Sequence, residues 1–152
     1  MIGPLAGHPV VQLGFVVRDL DASITILGGS WLRPGAAPDG FYRDVAYPGG
    51  GAVLDHEVAL RKREHPQVEL IRPGTGPNIW NDWLDAGNEG LHHVGVEVDD
   101  PLGAIAPMAA AGYPCLMSGR FGSDGAFAYF DTLAAAGVVV EAIRLPAEMR
   151  RR

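Results

Sequence analysis

The chain has 152 residues, of which 47% are hydrophobic and 20% are charged, and its formal net charge is −6. This length and apolar content suffice for a buried core. The acidic balance argues against a nucleic-acid partner, because phosphate backbones bind basic surfaces. The basic runs Arg61-Lys62-Arg63 and Arg150-Arg151-Arg152 are expected to be solvated surface.

Location and membrane contact are constrained by the rest of the composition. The single cysteine, Cys115, cannot form an internal disulfide, which favours the reducing cytoplasm. No apolar run approaches the roughly 20 residues that cross a bilayer, so we expect no membrane partner.

The first half of the chain, residues 9–73, predicts one βαβββ unit. Apolar alternation and turn residues mark its elements. In chain order they are a strand over 9–17, a helix over 19–27, and strands over 40–47, 53–63 and 67–72.

The second half, residues 90–146, predicts the same order after a polar linker at 74–89. Its elements are a strand over 91–98, a helix over 101–111, and strands over 113–117, 126–131 and 137–144. The two units are expected to form one structural domain of the α+β class.

The two halves also match in sequence. Gln12-Leu-Gly-Phe-Val-Val-Arg-Asp-Leu aligns without a gap to His93-Val-Gly-Val-Glu-Val-Asp-Asp-Pro. Val68-Glu-Leu-Ile-Arg-Pro resembles Val140-Glu-Ala-Ile-Arg-Leu-Pro. The first and last strands of each unit therefore correspond, which predicts a pair of modules related by a pseudo-two-fold axis.

Each pair of matching strands carries polar side chains at equivalent places: Gln12 with His93, and Glu69 with Glu141. One imidazole nitrogen and three oxygens suit a divalent metal ion, and the set does not distinguish Zn, Ni, Co, Mn or Fe. We therefore predict Gln12, Glu69, His93 and Glu141 as metal ligands. His92 has the opposite strand parity and is expected to be a structural, hydrogen-bonded histidine.

These motifs resemble the vicinal oxygen chelate superfamily, which includes glyoxalase I, methylmalonyl-CoA epimerase, extradiol dioxygenases and bleomycin-resistance proteins. The Gly90-Leu-His-His run, with its acidic turn, and Glu69-Leu-Ile-Arg-Pro look most like the epimerase branch. The resemblance implies two paired βαβββ modules that form a curved mixed sheet around a metal cleft. It places Gln12, Glu69, His93 and Glu141 at the metal positions.

The function that the resemblance implies is a metal-dependent isomerase or epimerase, similar to methylmalonyl-CoA epimerase, that moves a proton beside a chelated carbonyl. One alternative is a glyoxalase-type lyase. Glyoxalase I tends to carry a glutathione-anchoring arginine four residues after its first ligand, where this chain has Val16. Another alternative is a non-catalytic protein that binds a small molecule and confers resistance.

Three carboxylates are candidates for the proton transfer. Glu141 is a ligand that could loosen and act as base. The resemblance also places an acid on the third strand of the first module, where Asp55 and Glu57 share strand parity and are not separated by the sequence.

The expected partner is a small-molecule substrate, and the resemblance leaves a homodimer open. The aromatic side chains Phe127, Tyr129, Trp80 and Trp83 are expected to line the substrate pocket. Arg120 could meet an anionic group, and Glu97 shares a strand face with His93.

Overall fold

One mixed sheet of nine strands forms the framework of the computed structural model, which describes residues 3–61 and 63–150. The predictions for Lys62 and for the last two arginines fall outside these residues. The strands are β1 (Val10–Val16), β2 (Trp31–Leu32), β3 (Tyr42–Ala46), β4 (Glu57–Arg61), β5 (Gln67–Arg72), β6 (Gly90–Glu97), β7 (Cys115–Phe121), β8 (Gly125–Phe130) and β9 (Val139–Arg144).

Among the described residues, five short α-helices accompany the sheet, together with 3₁₀ turns at Gly3–Leu5 and Leu102–Ala104. The α-helices are α1 (Leu20–Leu27), α2 (Ile79–Asp85), α3 (Ile105–Ala110), α4 (Leu133–Ala136) and α5 (Ala147–Arg150). The helix predicted over 101–111 is divided into a 3₁₀ turn at Leu102–Ala104 and α3. Pro107 lies in the first turn of α3, where its missing N–H would have no intrahelical acceptor. No helix of the described ranges is both long and apolar enough to span a membrane.

The sheet has the order β2-β4-β5-β1-β6-β9-β8-β7-β3. In each half the first strand runs parallel to the last, β1 beside β5 and β6 beside β9. The two halves join where β1 and β6 pair antiparallel at the centre. The prediction of an α+β fold built from two βαβββ units is therefore confirmed.

Strand β3 departs from this symmetry. It belongs to the first half of the chain but pairs with β7 of the second, with Tyr42 opposite Phe121. The first half instead places the two-residue strand β2 beside β4. A two-residue strand is too short to show an alternating pattern, so the sequence analysis missed it.

The segment between β2 and β4, residues 33–56, is called the crossover segment below. It carries the chain from one end of the sheet to the other and back. Leu32 in β2 and Tyr42 in β3 lie at opposite ends of the strand order, yet both line one cavity. The sheet therefore curves round this cavity, and the crossover segment runs along its wall.

Candidate functional site

The strand register brings the four predicted ligands together on one face of the sheet. In one row across the strands, Glu69 of β5 lies opposite Gly14, and Gly14 lies opposite His93. In the next row, Gln12 lies opposite Gly95, and Gly95 lies opposite Glu141 of β9. Residues paired across strands, and residues two apart on one strand, share a face. All four side chains therefore converge at the joint between the two halves.

Two glycines, at equivalent positions of the repeat, make room for this group. A Cβ atom at Gly14 would overlap the imidazole ring of His93. A Cβ at Gly95 would lie 3.1 Å from the Cβ of Gln12 and 3.3 Å from Oε2 of Glu141. The glycine of each half thus accommodates the predicted ligand of the other half.

His93 is fully buried, with its Nε2 aimed at two carboxylates. Nε2 lies 3.4 Å from Oε2 of Glu141 and 3.7 Å from Oε2 of Glu69. Both Nε2 of His93 and Oε2 of Glu141 are buried without a hydrogen-bond partner. Buried polar atoms without partners are uncommon in folded proteins and point to a bound group or a catalytic role.

The neighbouring His92 fixes the ring of His93. The two Nδ1 atoms lie 3.0 Å apart, and the ring of His92 packs edge-on against Trp83 at 5.2 Å. Burial and the nearby His93 lower the pKa of His92 to about 3, so its imidazole is neutral at physiological pH. The contact agrees with the structural role that strand parity predicts for His92.

Burial and neighbouring groups shift the pKa values of Glu141 and His93. Burial, opposed by the charge of His93, raises the pKa of Glu141 to about 7. Burial lowers the pKa of His93, but contact with Glu69 and the charge of Glu141 outweigh it, so the net pKa is raised. The site therefore holds acidic oxygens and a basic nitrogen away from bulk water.

Gln12 completes the group with an oriented amide. Its Nε2 donates a hydrogen bond of 3.2 Å to Oε1 of Gln67, so the Oε1 of Gln12 takes no part in this contact. This Oε1 would lie 3.6 Å from a Cβ on Gly95, on the side where Oε2 of Glu141 lies.

The donor set fits a divalent metal ion in composition and spacing. Two ligand atoms bound to one ion at about 2.0–2.2 Å lie no more than about 4.4 Å apart. The separations from His93 to both carboxylates satisfy this limit. Within the described ranges, however, no three His, Cys, Asp or Glu side chains are already arranged as a metal centre. The four donor side chains therefore lie close together, but they do not yet have the geometry of a metal centre.

A cavity of about 490 Å³ opens above this group. Gln12, Glu69 and Glu141 lie at its base. Its walls are mostly apolar and include Phe41, Tyr42, Trp80, Phe121, Phe127 and Tyr129. Ligand sites commonly combine apolar walls with a few convergent polar groups in this way.

The family follows from comparison with known proteins. A family model described as the glyoxalase/bleomycin resistance protein/dioxygenase superfamily matches residues 11–130. The chain belongs to this superfamily. A search of curated protein sequences found no match.

Solved structures of the superfamily fold resemble the chain at low sequence identity. A hypothetical protein from Bacillus halodurans has a TM-score of 0.63 and 17% identity, covering 92% of this chain and 96% of that one. Methylmalonyl-CoA epimerase from Mycobacterium tuberculosis has a TM-score of 0.61 and 15% identity, covering 100% and 97%. A variant of Streptomyces coelicolor methylmalonyl-CoA epimerase, in complex with 2-nitronate-propionyl-CoA, has a TM-score of 0.63 and 16% identity, covering 92% and 96%. At these identities the likeness shows the fold alone.

Of the pocket residues predicted for this superfamily member, Trp80, Phe127 and Tyr129 line the cavity. The other three lie elsewhere. Trp83 packs against His92, and Arg120 is exposed with its Nε 3.7 Å from Asp44. Glu97 is exposed and borders a separate surface depression.

The three acidic candidates for proton transfer also differ in position. Glu141 faces the cavity, whereas Glu57 is half-exposed and forms ion pairs with Arg33 and Arg72. Asp55 is exposed and contacts Gly74.

His56, between Asp55 and Glu57, is the side chain that lines the cavity. It sits before β4 begins at Glu57, so strand parity does not govern its direction. Its Nε2 lies 3.1 Å from the hydroxyl of Tyr42, and its ring lies 4.3 Å from that of Trp80. The sequence carries no signal for this contact, because it depends on β3 crossing to the other half.

Proposed function

We propose that the protein is a metal-dependent isomerase or epimerase that moves a proton on the carbon next to a chelated carbonyl group. One observation carries the proposal. Nε2 of His93 and Oε2 of Glu141 are buried without partners, 3.4 Å apart, and Glu141 lines an apolar cavity. The fold shared with methylmalonyl-CoA epimerases supports this reaction class.

The ion would be held by Gln12, Glu69, His93 and Glu141. When bound, a divalent ion stabilises negative charge on a substrate oxygen as a Lewis acid. His92 holds the ring of His93 so that Nε2 stays directed at the carboxylates. Gln67 holds the amide of Gln12 in the same way.

The proton transfer is assigned to Glu141. It is the one of the three acidic candidates that faces the cavity. Its side chain is almost completely buried, and Oε2 has no competing hydrogen bond.

A second candidate is a non-catalytic protein that binds a small molecule. It is favoured by the aromatic walls of the cavity. Such a protein would bind its ligand whether or not a metal is present.

Two measurements on the purified protein test the proposal. Elemental analysis should find about one divalent metal per chain, or uptake of one when Zn, Ni, Co, Mn or Fe is supplied. With the metal bound, NMR in D₂O should show deuterium entering a 2-methyl acyl thioester or another carbonyl compound with an acidic α-hydrogen. A protein that contains no metal and takes none up would refute the enzyme proposal.

The variant Glu141→Gln tests whether Glu141 is needed for proton transfer or only for folding. It should keep the fold, measured by circular dichroism, and lose deuterium incorporation. Unchanged incorporation in this variant would refute the role of Glu141.

A further inference from the structure

Among the described residues, the carboxylates that line the cavity are Glu69, Glu141 and Glu148. The other lining residue of the acidic or basic types is His56, and no lysine or arginine of the described residues lines the cavity. Glu69 and Glu141 belong to the donor set. Glu148 is exposed near the cavity mouth, where it accepts a hydrogen bond of 2.9 Å from the backbone of Ser123. In the metal-free protein, an anionic ligand would meet carboxylates and apolar walls, both of which disfavour it.

Two arginines next to lining residues are held outside the cavity by ion pairs. Arg33 opens the crossover segment, immediately before the cavity residue Pro34, but its guanidinium pairs with Asp21 at 2.7 Å and with Glu57 at 3.4 Å. Arg72, at the end of β5, also pairs with Glu57. These arginines therefore leave the cavity to uncharged side chains and carboxylates.

One uncharged polar group is held in place at the wall. Nδ1 of His56 is buried without a partner, and its Nε2 lies 3.1 Å from the hydroxyl oxygen of Tyr42. A buried N–H without an acceptor costs more than a buried lone pair. We therefore assign the ring proton to Nε2, which donates to Tyr42. The hydroxyl hydrogen of Tyr42 is then free to donate into the cavity.

We infer that the cavity binds a molecule that has an apolar body and no negative charge, one oxygen of which accepts a hydrogen bond from Tyr42. This inference deepens the proposed function, on which it rests for the identity of the site. It separates this chain from enzymes whose acyl thioester substrates carry carboxylate or phosphate charges into the site.

Matched naphthalene probes test the inference by equilibrium dialysis against the EDTA-treated protein. The probes are 2-acetylnaphthalene (neutral, with an acceptor oxygen), 2-naphthoate, and 2-ethylnaphthalene (neutral, no acceptor). The ketone should bind at least about tenfold tighter than the naphthoate. Equal or tighter binding of the naphthoate, or binding of no probe, would overturn the inference.

Two variants test its parts. Tyr42→Phe should weaken the ketone about five- to tenfold and leave 2-ethylnaphthalene unchanged. An equal loss for both probes would mean that Tyr42 only packs. Ala37→Arg places a cation at an exposed position on the cavity rim and should tighten naphthoate binding; no change would contradict the electrostatic argument.

Metal uptake by the same preparations keeps the two proposals apart. A protein that prefers the ketone but takes up no metal refutes the proposed function and leaves this inference standing. A protein that takes up metal and prefers the naphthoate does the reverse.

Discussion

At the residue scale, the site depends on two glycines, whose lack of a side chain leaves room for the predicted ligands. Gly14 and Gly95 stand in neighbouring rows of the central strands, and each lies beside a predicted ligand of the other half. The sequence repeat aligns these glycines with each other, as it aligns Gln12 with His93. In each half, therefore, a glycine leaves space for a predicted ligand of the other half.

We predict that Gly14→Ala displaces the ring of His93, because the new methyl group would overlap it. The free energy of unfolding should fall by about 1–3 kcal/mol, as for an overpacked core. Metal affinity, measured by competition with a chromophoric chelator, should fall at least about tenfold.

Gly95→Ala is the matched control for this variant. Its methyl group would be no closer than 3.1 Å to a neighbour, so both effects should be smaller. Equal or larger losses in Gly95→Ala would contradict this account of Gly14.

Histidine burial gives a pH-dependent stability. Burial lowers the pKa of His56, which the nearby Glu69 and Asp55 raise only in part. The unfolded chain therefore binds a proton that the folded chain does not, and the stability contributed by neutral His56 is lost as pH falls below about 6.5.

We predict that His56→Gln flattens the dependence of stability on pH below about 6.5. The slope of unfolding free energy should decrease by up to about 1.4 kcal/mol per pH unit, measured by urea unfolding. His8→Gln, at an exposed position, should keep the slope of the parent. If His56→Gln kept the pH slope of the parent protein, His56 would be protonated in the folded state.

At the element scale, the repeat extends to the starts of the helices. The side chain of Asp19 accepts a hydrogen bond of 2.9 Å from the backbone N–H of Ala22, at the first turn of α1. Asp100, its equivalent, accepts one of 3.0 Å from Gly103, in the 3₁₀ turn before α3. Each acidic turn after a first strand thus caps the structure that follows it.

We predict that Asp19→Ala lowers the free energy of unfolding by about 1 kcal/mol, because a helix N–H loses its acceptor. Asp19→Asn should lower it by less, since an asparagine side chain also caps. Chemical denaturation of both variants measures the difference, and equal losses would indicate that charge and not capping matters at this position.

At the scale of the whole molecule, a bound ion should stabilise the folded chain. At about 100 times its dissociation constant, an ion that binds only the folded state adds about 2.7 kcal/mol to the free energy of unfolding. We therefore expect added metal to raise the melting temperature of the parent protein and not that of His93→Gln. The same rise in both would place the binding outside the predicted donor set.

The features that the sequence predicts are those that occur in both halves of the repeat. The features that it does not predict occur in one half only. The paired strands and the convergence of Gln12, Glu69, His93 and Glu141 follow from equivalent positions in two similar halves. The position of His56 does not, because β3 and its neighbouring loops have no counterpart in the second half. Asp55 and Glu57 follow from the resemblance, which places an acid on this strand, and their shared parity does not separate them. In the structure the strand begins only at Glu57.

The crossing of β3 also constrains how the protein is made. Both edge strands of the sheet, β2 and β3, come from the first half of the chain. During synthesis, β3 has no partner until β7, which ends at Phe121, has left the ribosome. For that interval the nascent chain presents an unpaired strand to other chains and to chaperones. The first half cannot reach its final structure alone, so maturation of the cavity is coupled to translation of the second half.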